Sequence, residues 1–195
     1  MEVVRMTIPL MRVMDTEAAR RHMTNIAPEL VRRFWPMIRL TEAWTLHDTD
    51  YAEATRLAWE GADDTLIMDG DIAPTPDHFA DMVECEKEAC VAAYWLYPVS
   101  THLDRPVVAH RDMLENGRFN WIPEDAPYCD YIGLGFTRFR KELKRRLDFE
   151  FAQRFAQPMH HSHCDVAISE VLHGAGVRFH VHWPIVQHLH YSAGG

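Results

Sequence analysis

Cysteine is scarce: four occur among 195 residues (Cys85, Cys90, Cys129 and Cys164), and none stand at CxxC spacing. That excludes a disulfide-dense scaffold and predicts reduced thiols in a cytoplasmic setting. No run approaches the ~18 apolar residues that a membrane-spanning helix requires. The opening "MEVVRMTIPLMRVMD" has an apolar stretch of strand length, but no basic n-region and no small-residue cleavage site. Positive charge is in deficit too: 20 Lys and Arg against 29 Asp and Glu give a net charge of −9. This argues against a long phosphate-tracking surface, although a local basic groove stays open. Repeats, low-complexity tracts and linkers are also missing, so residues 1–195 read as a single domain. A chain of this size buries roughly 70% of its unfolded surface. It needs neither a disulfide nor a metal merely to fold.

What is present is an alternation of strand and helix signals. Val3 to Leu10 is apolar and β-branched enough for a first strand, and "MIRL" suits a short second one. Helical patterns lie between, in "TEAARRHMTNIAPELVRRF" and "DTDYAEATRLAWEG". "TLIM" reads as a buried strand, and Thr75-Pro76 opens a helix with a hydroxyl N-cap and proline at the first helical position. "CVAAYWLY" and "CDYIGLGF" predict strands, "TRFRKELKRRL" and "CDVAISEVLHGAG" helices, and "VRFHVHW" and "IVQHLHY" two late strands. The alternation predicts an α/β fold with a mostly parallel central sheet flanked by helices.

The segment "TLIMDGDIAPTPD" poses the chemical question. A buried strand ends in Asp69-Gly70-Asp71, two carboxylates that repel each other unless something compensates them. On extended backbone the i, i+2 spacing turns both to one side. That arrangement suits a hard divalent cation with oxygen ligands. Asp-Gly is also a strong hairpin signal. Here, however, "IAPTPD" leads into a capped helix rather than a returning strand. A solvated strand-to-helix loop stays open.

Taken in order, "TLIMDGDIAPTPDHF", "CDYIGLGFTRFRKEL" and "HCDVAISEVLHGAGVRFHVHWPIVQHLH" resemble the GT-A glycosyltransferases, particularly family 2-like members. The resemblance covers roughly residues 65 to 191. It implies a transferase that moves a sugar from a nucleoside diphosphate-sugar to a hydroxyl acceptor with Mn or Mg. Asp69 and Asp71 match the DxD pair that holds the cation on the donor phosphates, and Gly70 allows their close approach. Gly133 and Gly135 match the glycine loop beneath donor sugar and acceptor, where Trp121 could stack. A strand with glycines at a bulge is the plain alternative.

Asp165 matches the general base of inverting members, although it could equally cap its helix. Cys164 stands where that family usually has a glutamate. His188 matches the histidine that completes the metal shell. Pro9, Arg12 and Glu42 are weaker matches to nucleotide-holding positions, and the family's Arg-Asn before the DxD strand is missing. The acceptor is left open: a glycan, a small molecule or a hydroxylated DNA base.

Two rivals remain. Three HxH pairs (161/163, 180/182, 188/190) would each align on one side of extended backbone. They suggest a zinc- or iron-dependent hydrolase using His161, His163 and Asp165, although no HExxH is present. A non-catalytic nucleotide-sugar-binding module is the other. The basic run around Arg138, Lys141, Lys144, Arg145 and Arg146 predicts a solvated helix face, with a phosphate groove as the minority reading.

Overall fold

The computed structural model describes residues 4–11, 28–29, 32–33, 38–45, 52, 55–56, 59–60, 62–68, 72–94, 108–110, 120–123, 125–156 and 164–188. Strands β1 (Val4–Met11), β2 (Ile38–Thr45), β6 (Val108–His110) and β7 (Asn120–Trp121) are described by their backbone. The others are β3 (Asp64–Met68), β4 (Ile72–Ala73), β5 (Ala89–Tyr94), β8 (Tyr128–Cys129), β9 (Tyr131–Ile132), β10 (Phe136–Phe139) and β11 (Phe179–His188). Four helices are fully described: α1 (Pro76–Glu84), α2 (Lys141–Arg146), α3 (Asp148–Phe155) and α4 (Cys164–Gly174).

The main sheet runs β2-β1-β3-β10-β5-β11-β4, with β8 also on β11. β1 is parallel to β2 and β3, and β11 is parallel to β5. β10 is antiparallel to both β3 and β5. The sheet is therefore mixed rather than mostly parallel, although β2, β1, β3, β5 and β11 share a direction. The expectation failed at "CDYIGLGFTRFRKEL". One strand and one helix were expected there; a turn at 134–135 instead sends residues 136–139 back into the sheet as β10. The two late strands are likewise one, β11, whose register shifts between His182 and Val186. Proline at position 184 offers no N–H to a ladder there.

Strand periodicity explains the continuous apolar runs. Ile67, Val91 and Ala93 face a cluster with Trp59, Phe139, Phe151, Cys164, Ile168 and Phe179. Leu66, Met68, Cys90, Ala92 and Tyr94 face Phe79, Met82 and Phe136 on the other side. Both faces are covered, so neither needs polar residues. α1 starts as its sequence predicts. The Thr75 hydroxyl accepts from His78 N at 3.4 Å, and His78 Nδ1 accepts from Thr75 N at 3.0 Å. Here histidine does the reciprocal work of the usual glutamate.

The basic run is not a solvated face. Arg138 belongs to β10 and is 2% exposed, beside Asp64 at 0%; Lys144 is 3% exposed. Arg138 pairs with the Asp64 carboxylate. Its Nη1 also donates to the carbonyls of Met82, Val83 and Cys85 at 2.8, 2.8 and 2.9 Å. The last turn of α1 has no basic residue of its own. Arg138 thus satisfies the helix's orphan carbonyls from the sheet face on which the helix packs. Lys144 Nζ donates to Thr65 Oγ1 at 2.7 Å, and Arg146 binds Glu88 through both nitrogens. Only Arg145 and Arg146 are exposed, so the phosphate-groove reading of this run is withdrawn. Among the described residues no helix is long and apolar enough to cross a membrane.

Candidate functional site

The shared strand direction sends the carboxyl ends of β3, β5 and β11 to one edge of the sheet. Beyond such an edge, open α/β sheets collect their ligands. Asp69, Gly70 and Asp71 lie outside the described residues, but the residues flanking them are fixed by pairing. Met68, just before the triplet, pairs with Phe136. Ile72, just after it, pairs with His188. Directly opposed residues on antiparallel strands have Cα atoms about 5 Å apart. The His188 backbone therefore stands across from the residue that follows Asp71.

The glycine loop reaches the same edge, because Phe136 follows Gly135 directly. The Gly135 amide donates to Tyr94 Oη at 3.2 Å. A Cβ built on Gly135 would lie 2.6 Å from Tyr94 Cζ. The absent side chain thus makes room for a tyrosine ring at the end of β5. The sequence reading gave Tyr94 no role; its one signal is an aromatic closing an apolar strand. Gly133 offers its carbonyl to Thr137 Oγ1 at 3.4 Å. Gly135→Ala should destabilise the protein by about 1–3 kcal/mol through overpacking. Thermal denaturation checks this, and an unchanged melting temperature would mean that the tyrosine moves aside freely.

Asp165 occupies the first turn of α4 and is half-buried. Its Oδ1 accepts from Val166 N at 2.8 Å, and its carbonyl oxygen accepts from Ser169 Oγ at 2.7 Å. Ser169 Oγ in turn accepts from Ile132 N at 3.3 Å. This chain ties the start of α4 to the residue before Gly133. Ser169 is a second residue the sequence reading passed over, four positions beyond Asp165 on the same helix face. Cys164 turns into the core, where burial and then the neighbouring Asp165 push its thiol up to about 12. It supplies no polar group in the missing glutamate's place.

The remaining positions are fixed only in part. Pro9 pairs with Ala43, and Glu42 with Ile8, at the paired strands β1 and β2; Arg12 lies outside the described residues. Trp121 pairs with Ala109, and Ala109 with Tyr131. It therefore sits two strands from Tyr131, two residues before Gly133. The side chains of Pro9, Glu42, Trp121 and His188 are outside the description. So are His161, His163 and His190 entirely.

No protein-family model and no curated protein matches the sequence. Among solved structures, A197 from STIV is 14% identical and superposes with a TM-score of 0.52, covering 93% of this chain and 82% of that one. At that identity the likeness is one of fold alone, a mixed sheet flanked by helices. Two further matches are a 4-diphosphocytidyl-2C-methyl-D-erythritol synthase from Anaerococcus prevotii and a Drosophila β1,4-galactosyltransferase. The first is 10% identical with a TM-score of 0.44, over 97% of this chain and 89% of that one. The second is 11% identical with a TM-score of 0.41, over 98% of this chain and 68% of that one. That galactosyltransferase is in complex with manganese, UDP-Gal and xylobiose.

Proposed function

We propose that this chain is a metal-dependent glycosyltransferase, moving a sugar from a nucleoside diphosphate-sugar donor to a hydroxyl acceptor with inversion. The observation that carries the reading is the pairing of His188 with Ile72. It joins the segment after the acidic triplet to the end of the last strand, although the two are far apart in sequence. Two carboxylates and an imidazole suit a divalent cation that prefers oxygen and tolerates nitrogen, such as Mn or Mg. Asp69, Asp71 and His188 would hold it. Bound there, the cation would neutralise the charge developing on the departing nucleoside diphosphate.

Asp165 acts as general base, taking the proton of the acceptor hydroxyl as that oxygen attacks the anomeric carbon. The hydrogen-bonded chain through Ser169 and Ile132 supports this role, because it holds the carboxylate's helix beside the glycine loop. Pro9, Arg12 and Glu42 are proposed to hold the nucleotide, and Gly133, Gly135 and Trp121 to border the sugar and acceptor.

The test is thermal denaturation with nucleoside diphosphates and their sugars, with and without Mn. The true donor at a hundredfold excess over its Kd stabilises by about 2.7 kcal/mol. For a chain of this length that is a rise of roughly 5–10 °C. Asp71→Ala should remove the Mn-dependent part of the shift. A panel with no Mn-dependent shift for any donor would overturn the reading.

A further inference from the structure

The HxH pair at 180 and 182 shares one sheet face, as its spacing predicts, but it lies back from the donor edge. His180 pairs with Cys90 and His182 with Ala92, near the amino-terminal end of β5. The donor edge lies beyond Tyr94, about 13 Å along the strand from Cys90 and about 7 Å from Ala92. Cys85 follows α1 and closes on the same spot. One ligand atom each from Cys85, Cys90 and His182 lie within 4.8 Å of one another.

We propose that Cys85, Cys90 and His182 bind one zinc-like transition-metal ion at the end of the sheet opposite the donor site. Two thiolates and an imidazole are the donor set that zinc takes in structural sites. In a tetrahedral zinc site, with Zn–S near 2.3 Å, neighbouring sulfurs are about 3.8 Å apart. With all three ligand atoms inside 4.8 Å, the contraction needed is about 1 Å at most. The surroundings are soft as well, with Cys90 Sγ 4.0 Å from Met82 Sδ.

Two buried imidazole nitrogens support the assignment. His180 Nδ1 and His182 Nε2 have no hydrogen-bond partner among the described residues. A buried polar atom left so calls for an unseen partner, and an ion is one. The His180 ring centroid is 4.8 Å from that of His182, which makes His180 the candidate for the fourth position. Cys85 is held by its backbone, since its carbonyl accepts from Arg138 and Arg140 at 2.9 Å each. The ion would staple the end of α1 to β5 and β11. None of this depends on the transferase reading.

Metal-free protein titrated with Co2+ should bind one ion per chain and develop thiolate-to-cobalt charge-transfer absorption. Zn2+ should displace it. Cys85→Ser should abolish the band and weaken Co2+ binding by more than about 100-fold, beyond the usual effect of losing an outer partner. Asp71→Ala should leave the band intact, so this result and the donor result can fail separately. A thiol count in denaturant without reductant decides the matter even if the serine variant fails to fold. Four free thiols and no cobalt band would overturn the proposal. So would two missing thiols, which would mean a Cys85–Cys90 disulfide.

Discussion

Asp165→Asn should lower sugar transfer by about 10²–10⁴-fold, the range that positioned acid–base catalysis contributes. Mn-dependent donor binding should be unchanged. The two effects separate because of where the carboxylate sits. One oxygen already accepts the Val166 amide at 2.8 Å, and an asparagine oxygen can take that bond over. The start of α4 therefore survives, and so does its tie through Ser169 to Ile132. What is lost is the basic oxygen that would receive the acceptor's proton. Turnover and donor-induced thermal shift measured on the same variant give the answer. Unchanged turnover would rule out Asp165 as the base, and loss of donor binding as well would give it a structural role instead.

Arg138→Met should cost about 3–5 kcal/mol of stability, the usual result of removing one member of a buried ion pair. Domain stabilities total only about 5–15 kcal/mol. The substitution would strand Asp64, and with it the carbonyls of Met82, Val83 and Cys85. For a chain of this length the melting temperature should fall by about 6–20 °C. Adding Asp64→Leu should recover part of the loss, because the unpaired charge is then gone. Recovery should stay incomplete, since the helix carbonyls remain unsatisfied and Lys141 N loses its acceptor, Asp64 Oδ1 at 2.9 Å. A drop below about 1 kcal/mol in the single variant would place Arg138 among ordinary surface cations.

Arg138 also shows where local reading reaches its limit. In "TRFRKELKRRL" the charges recur as they would on a solvated helix, and nothing within the segment contradicts that. The partner that draws Arg138 inward is Asp64, 74 residues away. Lys144 is drawn in by Thr65, 79 residues away. Burying a charge is favourable only when such partners are in place, and their positions are set by the pairing of β10 with β3. The same pairing made the sheet mixed where strand–helix alternation suggested a parallel one. The chain had already reversed between β5 and β8, since β8 and β10 both run opposite to β11.

Signals confined to a few neighbouring residues were legible without coordinates. Thr75-Pro76 started α1, and the end of α4 fell at its Gly-Ala-Gly, where Gly176 has a φ of +72° that favours glycine. "TLIM" was a strand buried on both faces, and the acidic triplet came immediately after it. These features depend on backbone torsions, caps and the two-residue period, all properties of adjacent residues. Only the tertiary structure decided what those elements face. It set His188 across from Ile72, filled the space over Gly135 with Tyr94, and gathered Cys85, Cys90 and His182 at the far end of the sheet. Strand order and register brought those groups together, and both follow from packing the whole core rather than from any one segment.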